Sequence, residues 1–138
     1  MNTIDIYNKL KHYKSFNGVF PRDKLPKTKI GLIIINTDKA NQPGEHWVAI
    51  AVNIKEPFEY FDSFGLPPLH IEILEFLNQG NNGWFYNTST LQSLNSTTCG
   101  NYCVLFAELR CRGYKYKDIL SLFTNNTFLN DKIVSEII

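Results

Sequence analysis

Residues 29–62 read KIGLIIINTDKANQPGEHWVAIAVNIKEPFEYFD, three apolar runs separated by turn residues. In KIGLIIIN every position from Ile30 to Ile35 is apolar apart from Gly31, the pattern of a strand covered on both faces. HWVAIAVN alternates after a turn expected at Asn41 to Gly44, and FEYFD follows Pro57. The stretch therefore predicts three successive strands, the first of them central in its sheet.

Outward from this core the pattern changes. On the N-terminal side, Ile6, Leu10 and Tyr13 fall at helical spacing behind the candidate caps Asn2 and Thr3. Residues 15–29, SFNGVFPRDKLPKTK, carry Gly18, Pro21 and Pro26 among charges and predict an irregular connection. On the C-terminal side, Pro67 and Pro68 suit a first helical turn, and the helix through Ile71, Leu74 and Leu77 ends in QGNNG. WFYNTS predicts a fourth strand. From Thr98, CGNYCVLFAELRCRG predicts the most buried helix, with Gly113 as its C-terminal stop. Two further helices are expected over residues 116–123 and 129–138, parted by the turn TNNT. Repeats and low-complexity tracts are lacking, and the asparagine-rich loops suit turns.

The chain of 138 residues, 43% hydrophobic and 20% charged, has the composition of one compact domain over residues 1–138. At this length about two thirds of the unfolded surface can be buried, so folding calls for no metal or disulfide staple. The net charge of +1 gives no long-range attraction for nucleic acid. Weak DNA binding would fall to a local patch built from Lys24, Lys27 and Lys29 and the cluster Arg110, Arg112, Lys115 and Lys117. No apolar run approaches the ~20 residues of a membrane span. MNTIDIYNKLKHYK lacks the apolar stretch of a signal peptide, which predicts a reducing, intracellular setting. Cys99, Cys103 and Cys111, an odd number within thirteen positions, argue against a disulfide framework and leave thiol chemistry open.

Cys99 stands where SLNSTT enters an apolar helix. Free N–H groups there, with a nearby imidazolium, bring such thiols to about 3.5–7.5 from about 8.5. Gly100 after it allows close approach of a substrate backbone. Taken alone, Cys99 could equally be a small buried apolar residue. A nucleophilic thiolate needs a base, and the base an orienting group. Of the three histidines, His12 and His70 sit in polar helical surroundings where solvation explains them, whereas His46 opens the strand HWVAIAVN. Asp62 ends the next strand at the corner FDSFG. If the two strands are antiparallel neighbours, Asp62 meets His46 and can hold its Nδ1–H; alone, it would be read as an Asx turn before Gly65. Gln92, seven positions before Cys99, could donate to an oxyanion with the Cys99 N–H. A metal site using Cys99, Cys103, His46 and Asp62 lacks the usual short-loop spacing, so no metal is expected and Cys103 belongs to the core. Cys111 has no partner in this scheme.

In the order SFNGVF, IIINT, GEHWVAIAVN, FEYFDSFGLP and LQSLNSTTCGNYCVLF, and more weakly FLNDKIVSEII, the chain resembles the adenovirus-type cysteine endopeptidases (adenain family), within the larger group that includes the SUMO-specific proteases. The resemblance implies an α+β, papain-like fold of the adenain type with a central mixed sheet flanked by helices. It implies His46 as general base, Asp62 as orienting acid, Cys99 as nucleophile and Gln92 as oxyanion donor. It further implies a monomeric maturation protease acting on capsid or core precursors in a virion and infected cell, whether of a virus, a virophage or a large virus-like transposon. The chemistry requires no cofactor. Adenoviral enzymes are longer and use a capsid-derived peptide, bound through a disulfide, and DNA as activators. GNNGWFYNTST carries no cysteine to receive such a peptide, which leaves a non-covalent peptide or DNA as the implied activators. Removal of a SUMO- or ubiquitin-like modifier, acyl transfer, and a non-catalytic binding module that keeps the fold are the alternatives.

Overall fold

The computed structural model describes residues 1–42 and 46–138; Pro43, Gly44 and Glu45, which complete the turn expected from Asn41 and begin GEHW, lie outside the described residues. Among the described residues there are five strands, β1 (Phe16–Pro21), β2 (Gly31–Asn36), β3 (Trp47–Val52), β4 (Phe58–Phe61) and β5 (Trp84–Tyr86). Five helices accompany them: α1 (Thr3–Leu10), α2 (Ile71–Leu77), α3 (Cys99–Cys111), α4 (Tyr116–Leu120) and α5 (Thr127–Ile137). The strands form one mixed sheet in the order β1-β2-β3-β4-β5, antiparallel across β2/β3 and β3/β4 and parallel at both outer pairs. This is the α+β, mixed-sheet architecture expected.

Both faces of the sheet are covered, and β3 records how. Trp47, Ala49 and Ala51 point into a core with Leu32, Ile34, Phe61 and the buried side of α3. Val48, Ile50 and Val52 point into a second core with Ile33, Ile35, Tyr60 and the α2 residues Ile73, Phe76 and Leu77. Period-two alternation produces this division, and the small Ala49 and Ala51 admit α3 close to the strand. Phe61 and Phe106 stack at 4.6 Å with ring planes 4° apart, fastening α3 over the sheet.

Residues 15–29 correct one expectation. Phe16–Pro21 is an edge strand parallel to β2, with a register shift between Phe16 and Gly18. Its six residues are all half-buried, so it has no alternation to read. Gly18 takes φ +130° beside the irregularity, and Pro21 closes the strand, where a missing N–H costs little at an edge. Pro67 and Pro68 differ as well: α2 begins at Ile71 with His70 as its cap, so the prolines shape the approach rather than the first turn. Residues before proline favour extended backbone, which postpones the helix. Helix α1 starts as expected, its cap Asn2 exchanging hydrogen bonds with Asp5.

Candidate active site

The antiparallel β3/β4 pair brings the start of one strand against the end of the other. His46, before Trp47, thereby meets Asp62, after Phe61, and His46 Nε2 lies 2.8 Å from Asp62 Oδ1. The contact is therefore made by Nε2 and not by the Nδ1–H expected from the sequence. With Nε2 committed to the carboxylate, Nδ1 is the nitrogen left for Cys99, which borders the same cavity and favours the charged ring. The ring stacks on Phe64, centroids 5.0 Å apart, which restricts its rotation.

Asp62 carries the local turn and the histidine contact together. Its Oδ1 accepts from Phe64 N–H at 2.8 Å, and its backbone carbonyl accepts from Gly65 N–H at 2.8 Å. The Asx turn and the catalytic reading therefore coexist. Gly65 is needed at this corner: φ is +71°, and a Cβ would come within 2.5 Å of Ser89 O. Asn87 secures the backbone of Asp62, its Nδ2 donating to Asp62 O at 2.6 Å and its Oδ1 accepting from Asp62 N–H at 3.0 Å. Tyr116 in turn donates to Asn87 Oδ1.

Cys99 opens α3, where Thr98 makes no side-chain cap and leaves first-turn N–H groups free of it. Burial works against its thiolate. The His46 hydrogen bond and the backbone amides of Trp47 and Gly100 outweigh it, and the thiol pKa falls below the ordinary value. At His46 burial opposes the charged ring, but the hydrogen bonds to Asp62 and Cys99 prevail and raise the imidazolium pKa to about 9. Both shifts favour a thiolate–imidazolium pair at neutral pH. One turn further, Cys103 is fully buried, and burial followed by repulsion from Cys99 and Asp62 pushes its thiol well up. It belongs to the core. Among the described residues no group of three or more His, Cys, Asp or Glu is arranged to hold a metal ion.

Gln92, 1% exposed, reaches the same cavity. Ser63 Oγ donates to its Oε1 at 2.5 Å, while its Nε2 donates to Ser96 O at 2.9 Å. An amide nitrogen carries two protons, so one remains for a ligand. The cavity, about 650 Å³, is bordered by His46, Asp62, Gln92 and Cys99 together with Trp47 and the N-terminal residues. Close approach at Gly100 comes from the protein itself: a Cβ there would lie 3.1 Å from Met1 Cβ and 3.3 Å from Trp47 Cδ1. Trp47 Nε1 donates to Met1 O at 3.2 Å.

His70, read as solvated, stands on the cavity wall, whereas His12 is exposed outside it. Ser63 and Asn87 were not found from sequence. Their signal is only that small polar residues interrupt the apolar runs FEYF and WFY at the strand ends. Of the basic cluster near residue 112, Arg110 is engaged in a bidentate pair with buried Glu59 at 2.9 Å, and Arg112 bonds Glu108 and Tyr13. Lys24, Lys27, Lys29, Lys115 and Lys117 are exposed. No described helix is long and apolar enough to cross a membrane.

A thiol with a lowered pKa, an imidazole between it and a carboxylate, and a buried carboxamide on one cavity wall form the equipment of cysteine-dependent acyl chemistry. Two crystal structures of the ASFV pS273R protease share the fold. One matches with a TM-score of 0.65 and 17% identity, covering 94% of this chain and 63% of that one. The other, of the selenomethionine protein, matches with a TM-score of 0.53 and 20% identity, covering 75% and 43%. The chain thus spans less than two thirds of either viral protease chain, and the likeness is one of fold. No curated protein matches the chain. Residues 5–135 match the family described as "Ulp1 protease family, C-terminal catalytic domain", and since that match takes in nearly all of the fold together with His46, Asp62, Gln92 and Cys99, the chain belongs to the Ulp1 protease family.

Proposed function

We propose that the protein is a maturation endopeptidase that cleaves capsid or core precursor proteins through a Cys99 thioester, working in a virion or infected cell. The observation that carries this reading is the imidazole of His46 hydrogen-bonded to Asp62, with the Cys99 thiol and the buried amide of Gln92 bordering the same cavity. The fold shared with a viral protease supports the setting. In the reaction, the Cys99 thiolate attacks the scissile carbonyl, and the oxyanion takes hydrogen bonds from the free Nε2–H of Gln92 and the N–H of Cys99. The Nδ1–H of His46 passes to the leaving amine, giving a thioester and a neutral ring. That ring takes a proton from water, whose oxygen attacks the thioester, and collapse of the second tetrahedral state returns the thiolate and the acid product. Asp62 holds the ring by Nε2 throughout and stabilises its charged form.

No cofactor enters these steps. A peptide bound without a disulfide, or DNA at the exposed lysines, is the activator that resemblance to the adenovirus-type enzymes implies. The family match favours a second reading, removal of a SUMO- or ubiquitin-like modifier. Incubation with precursor polypeptides containing Gly sites, and separately with a modifier carrying a C-terminal fusion, distinguishes the two when products are located by mass. Cleavage of precursors alone is the result expected. Cleavage of the fusion alone contradicts the maturation reading, and cleavage of neither, by unmodified protein whose Cys99 is shown in a parallel sample to alkylate selectively, contradicts both substrate assignments.

A further inference from the structure

The backbone between the proposed oxyanion donor and the nucleophile, residues 92–99, is held from outside by one carboxylate. Asp131 of α5 accepts at Oδ2 from the backbone N–H of Ser93 at 3.3 Å and from the Ser93 hydroxyl. Its other oxygen, Oδ1, accepts from Tyr102 OH at 2.8 Å and from Thr98 Oγ1 at 3.3 Å. Ser93 follows Gln92 and Thr98 precedes Cys99, so both ends of the loop meet at one side chain. The neighbouring Asn130, fully buried, adds a third point: its Nδ2 donates to Leu91 O at 3.1 Å and to Thr124 O at 2.9 Å. Between these anchors the loop runs outward, with Leu94 87% exposed and Asn95 and Thr97 also exposed, so its tip gains little support from packing. Hydrogen bonds at its two ends, with those of Ser96 to Gln92, Ser93 and Thr98 inside it, fix its shape.

We propose that Asp131 is a positioning residue that sets the Gln92 amide relative to Cys99 without touching substrate; this rests on the protease reading above. A carboxylate suits the task because it accepts on both oxygens. A carboxamide has one acceptor oxygen, so its amide group must face either the backbone N–H of Ser93 or the hydroxyls of Thr98 and Tyr102, which then accept instead of donating. Asp131→Asn therefore loses the charge-assisted bonds at one end of the loop while nearly preserving volume. An ångström of displacement at an oxyanion donor is a large effect, whereas the His46–Asp62 half of the thiolate–imidazolium pair comes from β3 and β4, and Asp131 reaches the Cys99 half only through Thr98 and Tyr102.

Two probes of Cys99 separate these consequences. Iodoacetamide reports the thiolate alone. A dipeptide aldehyde ending in glycinal reports the oxyanion site as well, since addition of Cys99 Sγ across its C=O gives a hemithioacetal whose oxygen, on taking up the thiol proton, occupies the oxyanion position. Its affinity is read as protection of Cys99 from iodoacetamide. In Asp131→Asn we expect aldehyde affinity to fall about 10- to 100-fold, iodoacetamide rates and their pH profile to stay as in the unsubstituted protein, and amides 93–98 to exchange faster. Ser93→Ala, which removes one partner and keeps the carboxylate, should lose less, and the double variant should lose less than the sum of the two. A merely structural role would lower the melting temperature yet leave aldehyde affinity per labelled Cys99 unchanged. That result, with unaltered exchange at 93–98, overturns the assignment and leaves the protease reading intact. Unsubstituted protein whose Cys99 labels no faster than Cys111 overturns the protease reading, and the assignment with it.

Discussion

Two cysteines one turn apart on α3 have opposite chemistry. Cys99 faces a cavity, and His46 with the backbone amides of Trp47 and Gly100 favours its thiolate and lowers its thiol pKa. Cys103, four residues on, is sealed between sheet and helix, and burial first, then the charges of Cys99 and Asp62, raises its thiol pKa. Burial opposes ionisation at both positions; what differs is the supply of donors. The first turn of a helix has N–H groups free for a ligand, while those of the second are already bonded within the helix. Reactivity thus follows from where on the helix the thiol stands and from a strand end that delivers His46, not from residue type.

The comparison breaks most sharply under substitution. Cys99→Ala should abolish peptide hydrolysis in a folded protein, whereas Cys103→Ala should retain turnover per folded molecule within about twofold and cost roughly 1–2 kcal/mol of stability through the cavity it leaves. Urea melts beside active-site-titrated rates check both. Equal loss of turnover in the two variants would remove the distinction.

Next in size is the donor supply itself. Gln92→Ala should lower turnover about 10²- to 10³-fold with little change in substrate binding, because its free N–H acts on charge that develops only in the tetrahedral state. Steady-state kinetics on a cleaved precursor would measure this, and a rise in KM with turnover intact would assign Gln92 to binding. Smaller still is the alkaline limb of the pH profile. The imidazolium of His46 persists up to about 9, so acylation should hold through neutral pH and decline as pH rises past about 9, when no Nδ1 proton remains for the leaving amine. A decline centred near 6.5 would mean an imidazole without its Asp62 and Cys99 partners.

Much of this was legible in the chain. KIGLIIIN, HWVAIAVN and FEYF became β2, β3 and β4 because their apolar patterning matches a sheet covered on both faces. The same antiparallel register juxtaposes His46 and Asp62, as their places at opposite strand ends foretold. β1 was illegible because an edge strand with a register shift, Gly18 and Pro21 takes its pairing from β2 rather than from its own pattern. The nitrogen that meets Asp62 was misassigned, since ring orientation depends on Phe64 and Cys99, contacts that spacing does not encode. Ser63, Asn87 and Asp131 were invisible for a related reason: each acts through hydrogen bonds to residues 25 to 38 positions away.

The most direct measurement is the pH dependence of iodoacetamide labelling, located by peptide mass, in the native protein and in His46→Ala. Selective labelling of Cys99 below pH 7, lost in the variant, with Cys103 inert throughout, is the result that an assembled thiolate–imidazolium pair requires. Slow labelling of Cys99 that matches Cys111 and is unchanged by His46→Ala would contradict the central claim that this turn of α3 carries the nucleophile.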